Sequence, residues 1–510
     1  CTVLFLSLLF VSCHNSELQY NINIDLNPNK IAPLTALLTI EADQPCKATV
    51  KVLGEIPLER SYDKEGVNLS IPVLGLYPGK LNQVEITLDY EGGQKKELLE
   101  IKTNPLPNYF PKISIITLDK DRMEPGMHTL DIHFANFGKF KSAPTMFDDR
   151  GAIRWYLDLS FHGKMVAPFQ ILKNGNIIAP GRNDIYEFDM LGKIVHQGKI
   201  DENYGMHHDI LELPNGDLLI CVGTRNAYIR KDNKDVLSDS DFIVHYDRKA
   251  SKVLKEWDLA DHMDVDRDDL NFFRNGDWLH MNAIEFNKKD STIIVSGRNQ
   301  GLVKISWNDK LQWIMAPKQN WGLSGRQGKG YPTAPYLLTA VNKDGKPYPK
   351  DVQIGNKSMA DFDFPWGPHA PLLMPNGNIL VFDNGPYRNY NNENNYSRAV
   401  EYRVNEKDKT FQQIWQYGKE RGTRLYSSIV SDVDYLPNTG NILMTFGFIT
   451  PKNIHQGKVV EISPVDNKEV FEASVFFKNT NKTKKRGWGS RDILYRSERM
   501  ELKMSLNNRR

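Results

Sequence analysis

Three histidines occupy matching places in a pattern that recurs along the sequence. Several copies contain a Pro-Asn-Gly turn between two short apolar strands, and His208 and His369 each stand six residues before the proline of such a turn. A further copy has the same strand pattern without the Asn-Gly turn and puts His280 at the same place. If these copies are equivalent units of one symmetric fold, the three imidazoles converge. A neutral imidazole can act as a base or as a nucleophile near pH 7.

An arginine joins these candidates. In three copies the strand after the histidine position closes with a glycine and an arginine, which places Arg182, Arg225 and Arg298 in register. A guanidinium group presents a rigid fork of donors that matches the oxygens of a tetrahedral anion. We expect nearby aspartates to pair with the first two arginines. Arg298 is therefore the candidate, and histidines gathered with an arginine predict an anion site.

Other interpretations of the histidines stay open. A single histidine that faces a channel is more often a hydrogen-bonded structural residue than a catalyst, whereas three in register favour a functional site. Three imidazoles can also bind zinc or iron, but no Asp, Glu or Cys stands in register to complete a ligand set. The sequence therefore predicts neither a metal nor another cofactor. His207 is expected to point away from His208, because successive side chains of a strand face opposite sides.

The N-terminal part of the chain has the alternation that is typical of β-strands. Short runs such as 20–26 and 36–40 alternate apolar and polar residues, and Gly, Pro and Asn separate them. This pattern predicts a small β-sandwich over residues 13–106. Three prolines within residues 104–111 cannot continue a strand, so residues 107–112 are predicted to be a linker.

Six copies of a hairpin pattern follow between residues 113 and 495. Most are preceded by a second hairpin, whose Asn-Gly turn supplies backbone positions with positive φ. Two hairpins per unit, repeated six times, predict an all-β chain with a six-bladed β-propeller of four-stranded blades. The first strand of each blade lines the central channel of a propeller, where the three histidines would meet. Insertions at about 226–241, 260–277 and 314–365 are expected to form loops on one face.

The N-terminus predicts export. Residues 1–10 are apolar but too few to span a membrane, and Ser12 directly precedes Cys13, as in a bacterial lipoprotein signal. Residues 1–12 are therefore predicted to be a signal peptide, and Cys13 is predicted to carry a lipid. Such a protein is a periplasmic or outer-membrane lipoprotein that touches the membrane only through its anchor.

The charge of the chain argues against nucleic acid as a binding partner. The formal net charge is +2, and no long basic run precedes the final residues, so the sequence predicts no binding of nucleic acid. Residues 496–510 are predicted to be a polar tail.

Four segments are distinctive by their joint occurrence and order. They are Asp277-Trp-Leu-His280-Met-Asn282, Ser296-Gly-Arg298-Asn-Gln, Gly367-Pro-His369-Ala-Pro-Leu-Leu-Met-Pro-Asn-Gly-Asn, and Tyr426-Ser-Ser-Ile-Val-Ser-Asp-Val-Asp-Tyr435. Together they resemble the bacterial arylsulfate sulfotransferases, and the similarity covers nearly the whole chain after the predicted signal peptide. The resemblance implies a β-sandwich followed by a six-bladed propeller. It also implies transfer of sulfate between phenols without a nucleotide donor.

The resemblance assigns roles to the candidate residues. His369 is similar to the nucleophile that becomes sulfated on nitrogen. His280, Asn282 and Arg298 are similar to the groups that hold the sulfuryl oxygens and take up charge in the transition state, and His208 matches a further family histidine. A covalent imidazole intermediate implies a ping-pong reaction. The implied partners are a phenolic sulfate donor and a phenol acceptor, and related enzymes form homodimers.

One departure from the family and two rival functions bear on this interpretation. Some members carry a cysteine pair in the loop before the nucleophile, whereas the last cysteine here is Cys221, so the loop at 314–365 must be held by other means. A propeller with the same histidines and arginine could instead bind a sulfated or other anionic ligand without turnover. A sulfate-ester hydrolase is the third hypothesis, although the Cys/Ser-x-Pro-x-Arg signature of the common sulfatases is absent.

Overall fold

The computed structural model describes most of the chain after the predicted signal peptide. The described residues are 17–136, 139–160, 168–239, 241–267, 276–391, 393, 395–450, 455–478 and 489–503. Residues 1–12 and Cys13 lie outside them. The regular structure in the described residues is almost entirely β-strand, so the all-β class is confirmed.

Five strands form the N-terminal domain around a core of alternating apolar side chains. They are β1 (Tyr20–Leu26), β2 (Thr35–Val52), β3 (Leu58–Leu74), β4 (Leu81–Tyr90) and β5 (Gly93–Lys102). The order is β1-β2-β4-β5, with β3 paired along β2. A register shift after Glu41 divides β2 into one half that pairs with β1 and another that pairs with β4. Leu38 from the first half and Val50 from the second are buried in one core, so a single strand serves both halves of the domain.

The rest of the described chain is built from shorter strands and a few helical turns. The strands are β6 (Lys112–Leu118), β7 (Met127–Asn136), β8 (Lys139–Phe147), β9 (Ile153–Tyr156), β10 (Gln170–Ile171), β11 (Ile177–Pro180), β12 (Asp184–Phe188), β13 (Ile194–Lys199), β14 (Tyr204–Glu212), β15 (Leu218–Thr224), β16 (Tyr228–Lys231), β17 (Lys234–Leu237), β18 (Phe242–Asp247), β19 (Lys252–Asp258), β20 (Met281–Asn287), β21 (Thr292–Gly297), β22 (Gly301–Ser306), β23 (Leu311–Met315), β24 (Thr339–Ala340), β25 (Pro368–Leu373), β26 (Ile379–Asp383), β27 (Arg398–Asn405), β28 (Thr410–Tyr417), β29 (Asp432–Tyr435), β30 (Ile442–Ile449), β31 (Gln456–Ser463), β32 (Lys468–Phe476), β33 (Ile493–Leu494) and β34 (Arg499–Met500). The helical turns are α1 (Lys350–Gln353) and the 3₁₀ turns Leu259–Asp261, Ala334–Tyr336, Arg388–Tyr390 and Lys419–Leu425.

Within the described residues, β6 to β34 form six sheets of four or five strands, nearly all in sequence order, and one separate ribbon. The sheets are β10-β11-β12-β13, β14-β15-β18-β19, β20-β21-β22-β23, β25-β26-β27-β28 with β24 at the outer edge, β29-β30-β31-β32 with β6 at the outer edge, and β33-β7-β8-β9. The β16–β17 hairpin forms a separate ribbon within the insertion at 226–241.

The first strands of five successive sheets lie next to one another, since β14 contacts β10 and β20, and β25 contacts β20 and β29. In the sixth sheet, β33 contacts β30 and β31. Sheets whose first strands gather around a common centre form a propeller, and this architecture is confirmed. A ring of six blades stays the prediction for how these sheets close.

Both ends of the propeller segment pair with the opposite end. β6 is hydrogen-bonded to β32, and β33 and β34 are both hydrogen-bonded to β7. The structure therefore differs from the predicted polar tail after residue 495. Arg496, Ser497 and Leu502 are buried, because the chain continues along β7 and then packs on the hydrophobic core.

The Asn-Gly turns have the predicted backbone conformation. Gly216 connects β14 to β15 with a φ of +87°, and Gly377 connects β25 to β26 with a φ of +86°. Such values favour glycine, because a Cβ atom would strain the left-handed region. These turns set the register of the two strands that carry His208 and His369.

Hydrogen bonds and a hydrophobic core hold the loop at 314–365. The side chain of Gln353 donates to the carbonyl of Ala340 at 2.7 Å and accepts from its amide at 3.0 Å. β24 pairs with β28, and Phe362 and Trp366 are buried. Cys46 and Cys221 are buried free thiols, so among the described residues these contacts hold the loop without a disulfide.

Candidate active site

His208 and His369 lie on innermost strands at register shifts, and His280 directly precedes such a strand. β14 shifts register between Met206 and Ile210, β20 between Met281 and Ala283, and β25 between His369 and Leu372. His208 and His280 have left-handed backbones, with φ of +54° and +48°. Bulges re-aim side chains, and left-handed residues other than glycine concentrate at functional sites. The same distortion on three neighbouring strands turns these side chains toward the centre.

The structure brings His208 and His280 together. Their ring centroids are 4.9 Å apart with the planes at 71°. His207 does not point away as expected, since its Nδ1 lies 3.0 Å from Nδ1 of His208. The bulge explains the difference, because it breaks the alternation that a regular strand would impose. Burial lowers the pKa of His207 to about 4, and burial followed by the neighbouring histidines holds the pKa of His208 well below its usual value.

A carboxylate orients His280. Nδ1 of His280 lies 2.7 Å from Oδ2 of Asp277, three residues earlier in the chain. The side chain of Asn299 donates to the backbone carbonyl of Asp277 at 2.8 Å, which fixes that segment. Asp277 stands three residues before His280 in the sequence motif, and only the folded structure shows that the two side chains are hydrogen-bonded.

Arg298 joins the same cluster from β21. Its backbone amide donates to the carbonyl of His280 at 3.1 Å, and its guanidinium donates to the carbonyl of Ser428 at 2.7 Å. The side chain is buried, and burial lowers the pKa of Arg298 to about 10. It is therefore still charged at pH 7 and provides a fixed positive charge beside the histidines.

Asn282 contacts the strand of the candidate nucleophile. Its amide donates to the carbonyl of Pro368 at 2.8 Å, and the hydroxyl of Ser296 donates to the same oxygen at 2.9 Å. Pro368 immediately precedes His369. Asn282 thus positions the strand that carries His369, in addition to the contact with sulfuryl oxygens that the resemblance implies.

His369 is buried and neutral at pH 7. Only 3% of its surface is exposed, and its ring lies edge-on to Tyr495 with centroids 5.5 Å apart. Burial lowers the pKa of His369 well below the usual value, and the charges of Arg496, Arg298 and His280 lower it further. A contact with the backbone of Ser431 opposes these effects only in part.

A buried ion pair lies beside His369 and was missed by sequence analysis. Arg496 donates to Asp209 at 3.0 Å and lies 4.0 Å from Asp432. Asp209 also accepts a hydrogen bond from the amide of Ile284 on β20. The pair therefore ties the C-terminal segment to two strands that carry candidate residues. Its sequence signal is weak, because Arg496 lies in a polar segment that reads as a tail.

A second charged network supports β25 from behind. Arg388 bridges Asp363 at 2.6 Å and Asp383 at 3.0 Å, and Arg398 also donates to Asp383 at 2.8 Å. Asp383 accepts from the amide of Trp366, which leads into β25. All four charged side chains are buried and paired with one another, so this network fixes the approach to His369 without adding net charge at the site.

Several buried polar atoms at the cluster have no hydrogen-bond partner within the described residues. They are Oδ1 of Asn282, Nδ1 of His369, the hydroxyl of Tyr495 and Nε of Arg496. Unsatisfied polar groups are rare in native interiors, and their concentration here is typical of a functional site. The described residues contain no group of three or more His, Cys, Asp and Glu that could hold a metal ion.

All five predicted site residues thus belong to one cluster. His208, His280, His369, Asn282 and Arg298 are linked directly or through one intervening residue. Neutral imidazoles beside a charged guanidinium can bind an oxyanion and supply a nucleophile. The cluster combines both capacities in one buried space.

Two protein-family models match the sequence and together cover most of it. Residues 113–486 match the model of the arylsulfotransferase (ASST) family, and residues 23–104 match the arylsulfotransferase Ig-like domain. The chain belongs to the arylsulfotransferase family. It is therefore an enzyme of the aryl-sulfate sulfotransferase class. Residues 105–112 of this arylsulfotransferase lie between the two matches.

Two curated relatives cover nearly the whole arylsulfotransferase chain. It is 29% identical over 537 residues to the arylsulfate sulfotransferase AssT of Lelliottia amnigena, which covers 87% of this chain and 88% of that one. The AssT of Escherichia coli O6:H1 is also 29% identical, over 535 residues and with the same coverage.

Solved structures resemble this arylsulfotransferase only weakly. The extracellular domain of a putative one-component system from B. thetaiotaomicron aligns with a TM-score of 0.33 and 11% identity over 88% of this chain and 48% of that chain. The WD40 domain of SCAP from fission yeast aligns with a TM-score of 0.26 and 7% identity over 72% and 91%. Scores this low support no conclusion.

In the described part of the chain, no helix has the length and apolar character needed to cross a bilayer.

Proposed function

We propose that this enzyme transfers a sulfuryl group from a phenolic sulfate ester to another phenol by a ping-pong reaction, with His369 carrying the group between the two halves. The observation that supports this most directly is the state of His369. Its ring is buried, and burial together with Arg496 and Arg298 keeps its pKa low, so the ring is neutral at pH 7. A neutral imidazole has the lone pair that nucleophilic attack requires.

In the first half-reaction a ring nitrogen of His369 attacks the sulfur of the donor. The N–S bond forms as the bond from sulfur to the aryl oxygen breaks, and the phenolate leaves with the bonding electrons. In the second half-reaction the oxygen of an acceptor phenol attacks the same sulfur. The phenol loses its proton, and His369 returns to the neutral imidazole. No nucleotide donor is needed, because an aryl ester already contains a good leaving group.

The neighbouring residues have electrostatic and positioning roles in this proposal. Sulfuryl transfer resembles phosphoryl transfer in spreading charge over equatorial oxygens, so the protein mainly positions and neutralises. Arg298, His280 and His208 hold the sulfuryl oxygens, and Arg298 supplies the positive charge. Asn282 contributes an amide and orients the strand before His369 through its hydrogen bond to Pro368.

Intact-protein mass spectrometry tests the covalent step. The purified chain is mixed with p-nitrophenyl sulfate, beside the variants His369→Asn and His245→Asn. His245 is a matched control because it is half-buried and hydrogen-bonded to Asp217 on a different part of the sheet. We expect a gain of one sulfuryl group in the parent and in His245→Asn, and none in His369→Asn.

The same mixture separates the proposal from its rivals. An unmodified parent that releases no p-nitrophenol, even with a second phenol present, would overturn the transferase proposal and favour a binding propeller. Release of p-nitrophenol at the same rate with and without a phenol acceptor, and with free sulfate as product, would indicate a hydrolase.

We also propose that the protein is exported and anchored by a lipid on Cys13. The proposal is supported by the apolar residues 1–10 and by Ser12, a small residue directly before Cys13. Cys13→Ala should move the protein from the membrane fraction to the soluble fraction of a bacterial host, with its activity unchanged. Sedimentation of the lipid-free protein measures whether it forms a homodimer.

A further inference from the structure

Hydrogen bonds to the side chain and to the backbone hold the pair of Asp277 and His280 in place. Nδ1 of His280 lies 2.7 Å from Oδ2 of Asp277, and both side chains are largely buried. The backbone between them is fixed on both sides, since Arg298 donates to the carbonyl of His280 and Asn299 donates to the carbonyl of Asp277. His280 also has a left-handed backbone, with φ of +48°. The surrounding contacts therefore determine the orientation of the ring.

The carboxylate decides which ring nitrogen carries which proton. Asp277 accepts a hydrogen bond from Nδ1–H, so in the neutral ring the lone pair lies on Nε2. When Nε2 gains a second proton, the same carboxylate stabilises the imidazolium, as the aspartate of a catalytic triad does. An imidazole held in this way can accept a proton at Nε2 and return it without moving.

The other histidines of the cluster lack this support. Within the described residues, neither His208 nor His369 has a hydrogen bond to a carboxylate. Both face other imidazoles and guanidinium groups, which disfavour a second proton. Of the three, His280 is thus the one whose ring contacts a carboxylate.

We propose that His280 exchanges the proton of the phenol at Nε2 and that Asp277 is the positioning residue that makes this possible. This inference rests on the proposed function and changes one part of it: because Nδ1 is bonded to Asp277, the Nε2–H of His280 is assigned to the oxygen of the aryl group rather than to a terminal sulfuryl oxygen, and the aryl group leaves as the phenol. In the first half-reaction the proton moves from Nε2 of the imidazolium to the oxygen of the leaving aryl group as the bond to sulfur breaks. In the second, the proton of the acceptor phenol moves to Nε2 as the phenol oxygen bonds to sulfur. Each cycle begins and ends with the same protonation of His280.

The test uses donors with leaving groups of different quality. A stable phenolate such as p-nitrophenolate needs little help from an acid, whereas the phenolate of phenyl sulfate needs more. We therefore expect Asp277→Asn to lower kcat/KM for phenyl sulfate by about 10²-fold or more, the usual range for general acid catalysis. The loss with p-nitrophenyl sulfate should be less than about 10-fold. A purely structural defect would lower both rates by the same factor.

Asp217→Asn is the matched control. Asp217 lies 2.8 Å from Nε2 of His245, so it forms a similar carboxylate–imidazole pair away from the cluster. Its loss should leave both donors unaffected. The double variant Asp277→Asn/His280→Gln should be no slower with phenyl sulfate than His280→Gln alone, because Asp277 acts through His280.

The outcomes distinguish the two proposals. If the parent is sulfated on His369 but Asp277→Asn slows both donors equally, the inference about Asp277 is overturned and the transferase proposal stands. If Asp277→Asn and His280→Gln have additive effects, Asp277 does not act through His280. If the parent is never sulfated, the failure belongs to the proposed function.

Discussion

Asn282 donates a hydrogen bond of 2.8 Å to the carbonyl oxygen of Pro368, the residue before His369. Ser296 donates to the same oxygen at 2.9 Å. Two side chains from the preceding sheet are thus hydrogen-bonded to the strand that carries the proposed nucleophile. These hydrogen bonds connect β20 and β21 with β25, so the preceding sheet helps to position His369.

Removing both hydrogen bonds to the carbonyl of Pro368 should slow sulfation of His369. Ser296→Ala leaves Asn282 as a donor and should have little effect, whereas Asn282→Ala/Ser296→Ala leaves a buried carbonyl unpaired, which costs about 1–3 kcal/mol. Displacement of a reacting group by about 1 Å can cost about 10²-fold in rate, and we expect a loss of that size in the double variant. Rapid-quench measurement of the first turnover checks it. Equal rates in the parent and the double variant would contradict a positioning role for this contact.

Arg298→Lys should lower kcat/KM by about 10²- to 10³-fold, although the charge is kept. The guanidinium fork supports planar oxyanion geometry and also contacts the carbonyl of Ser428, whereas an ammonium group is a point charge. The loss should lie mainly in kcat, because the contact strengthens as charge develops on the sulfuryl oxygens. Arg225→Lys is the control, since Arg225 directly follows β15, the corresponding strand of another sheet, but is exposed. A change in KM alone would mean that Arg298 only binds the donor.

The first half-reaction should be insensitive to pH in the weakly acidic range. Burial and the charges of Arg496 and Arg298 hold the pKa of His369 below its usual value of about 6.5, so the ring stays neutral as the pH falls through that value. Stopped-flow release of p-nitrophenol, measured between about pH 5 and pH 8, should give a nearly constant burst rate. A burst rate that falls about tenfold per pH unit below 6.5 would show that His369 titrates as an ordinary histidine.

Arg496→Ala should strongly destabilise the protein. It leaves Asp209 buried without its charged partner, and breaking a buried pair in this way costs about 3–5 kcal/mol. Urea denaturation followed by tryptophan fluorescence measures the loss. Arg496→Met/Asp209→Asn removes both charges and should recover much of the stability. If the double variant is as unstable as the sum of the single variants, the two residues are not coupled.

Much of the fold could be predicted because it depends on patterns among residues that are close together in the sequence. Period-two alternation and the Asn-Gly turns depend on neighbouring residues, so they predicted the strands and the propeller. The positions of His208, His280 and His369 followed from the same register, since equivalent strands of repeated units occupy equivalent places. Their roles in catalysis stay predictions until sulfation is measured.

The failures occur where distant segments meet. The bulge after Met206 brings His207 against His208, contrary to simple alternation. The final residues read as a polar tail, yet Arg496 is buried because Asp209, nearly three hundred residues earlier, supplies its partner. No local pattern contains that information.

The sequence by itself determined the strand pattern, the repeated units and the histidine register, because each depends on residues close together in the chain. Only the tertiary structure decided the electrostatic state of the site. Burial of His369, its nearness to Arg496 and the bond from Asp277 to His280 depend on which strands pack together and how far they exclude water. A pKa responds to all charges within a few ångströms regardless of sequence separation, so the folded chain is needed to set it.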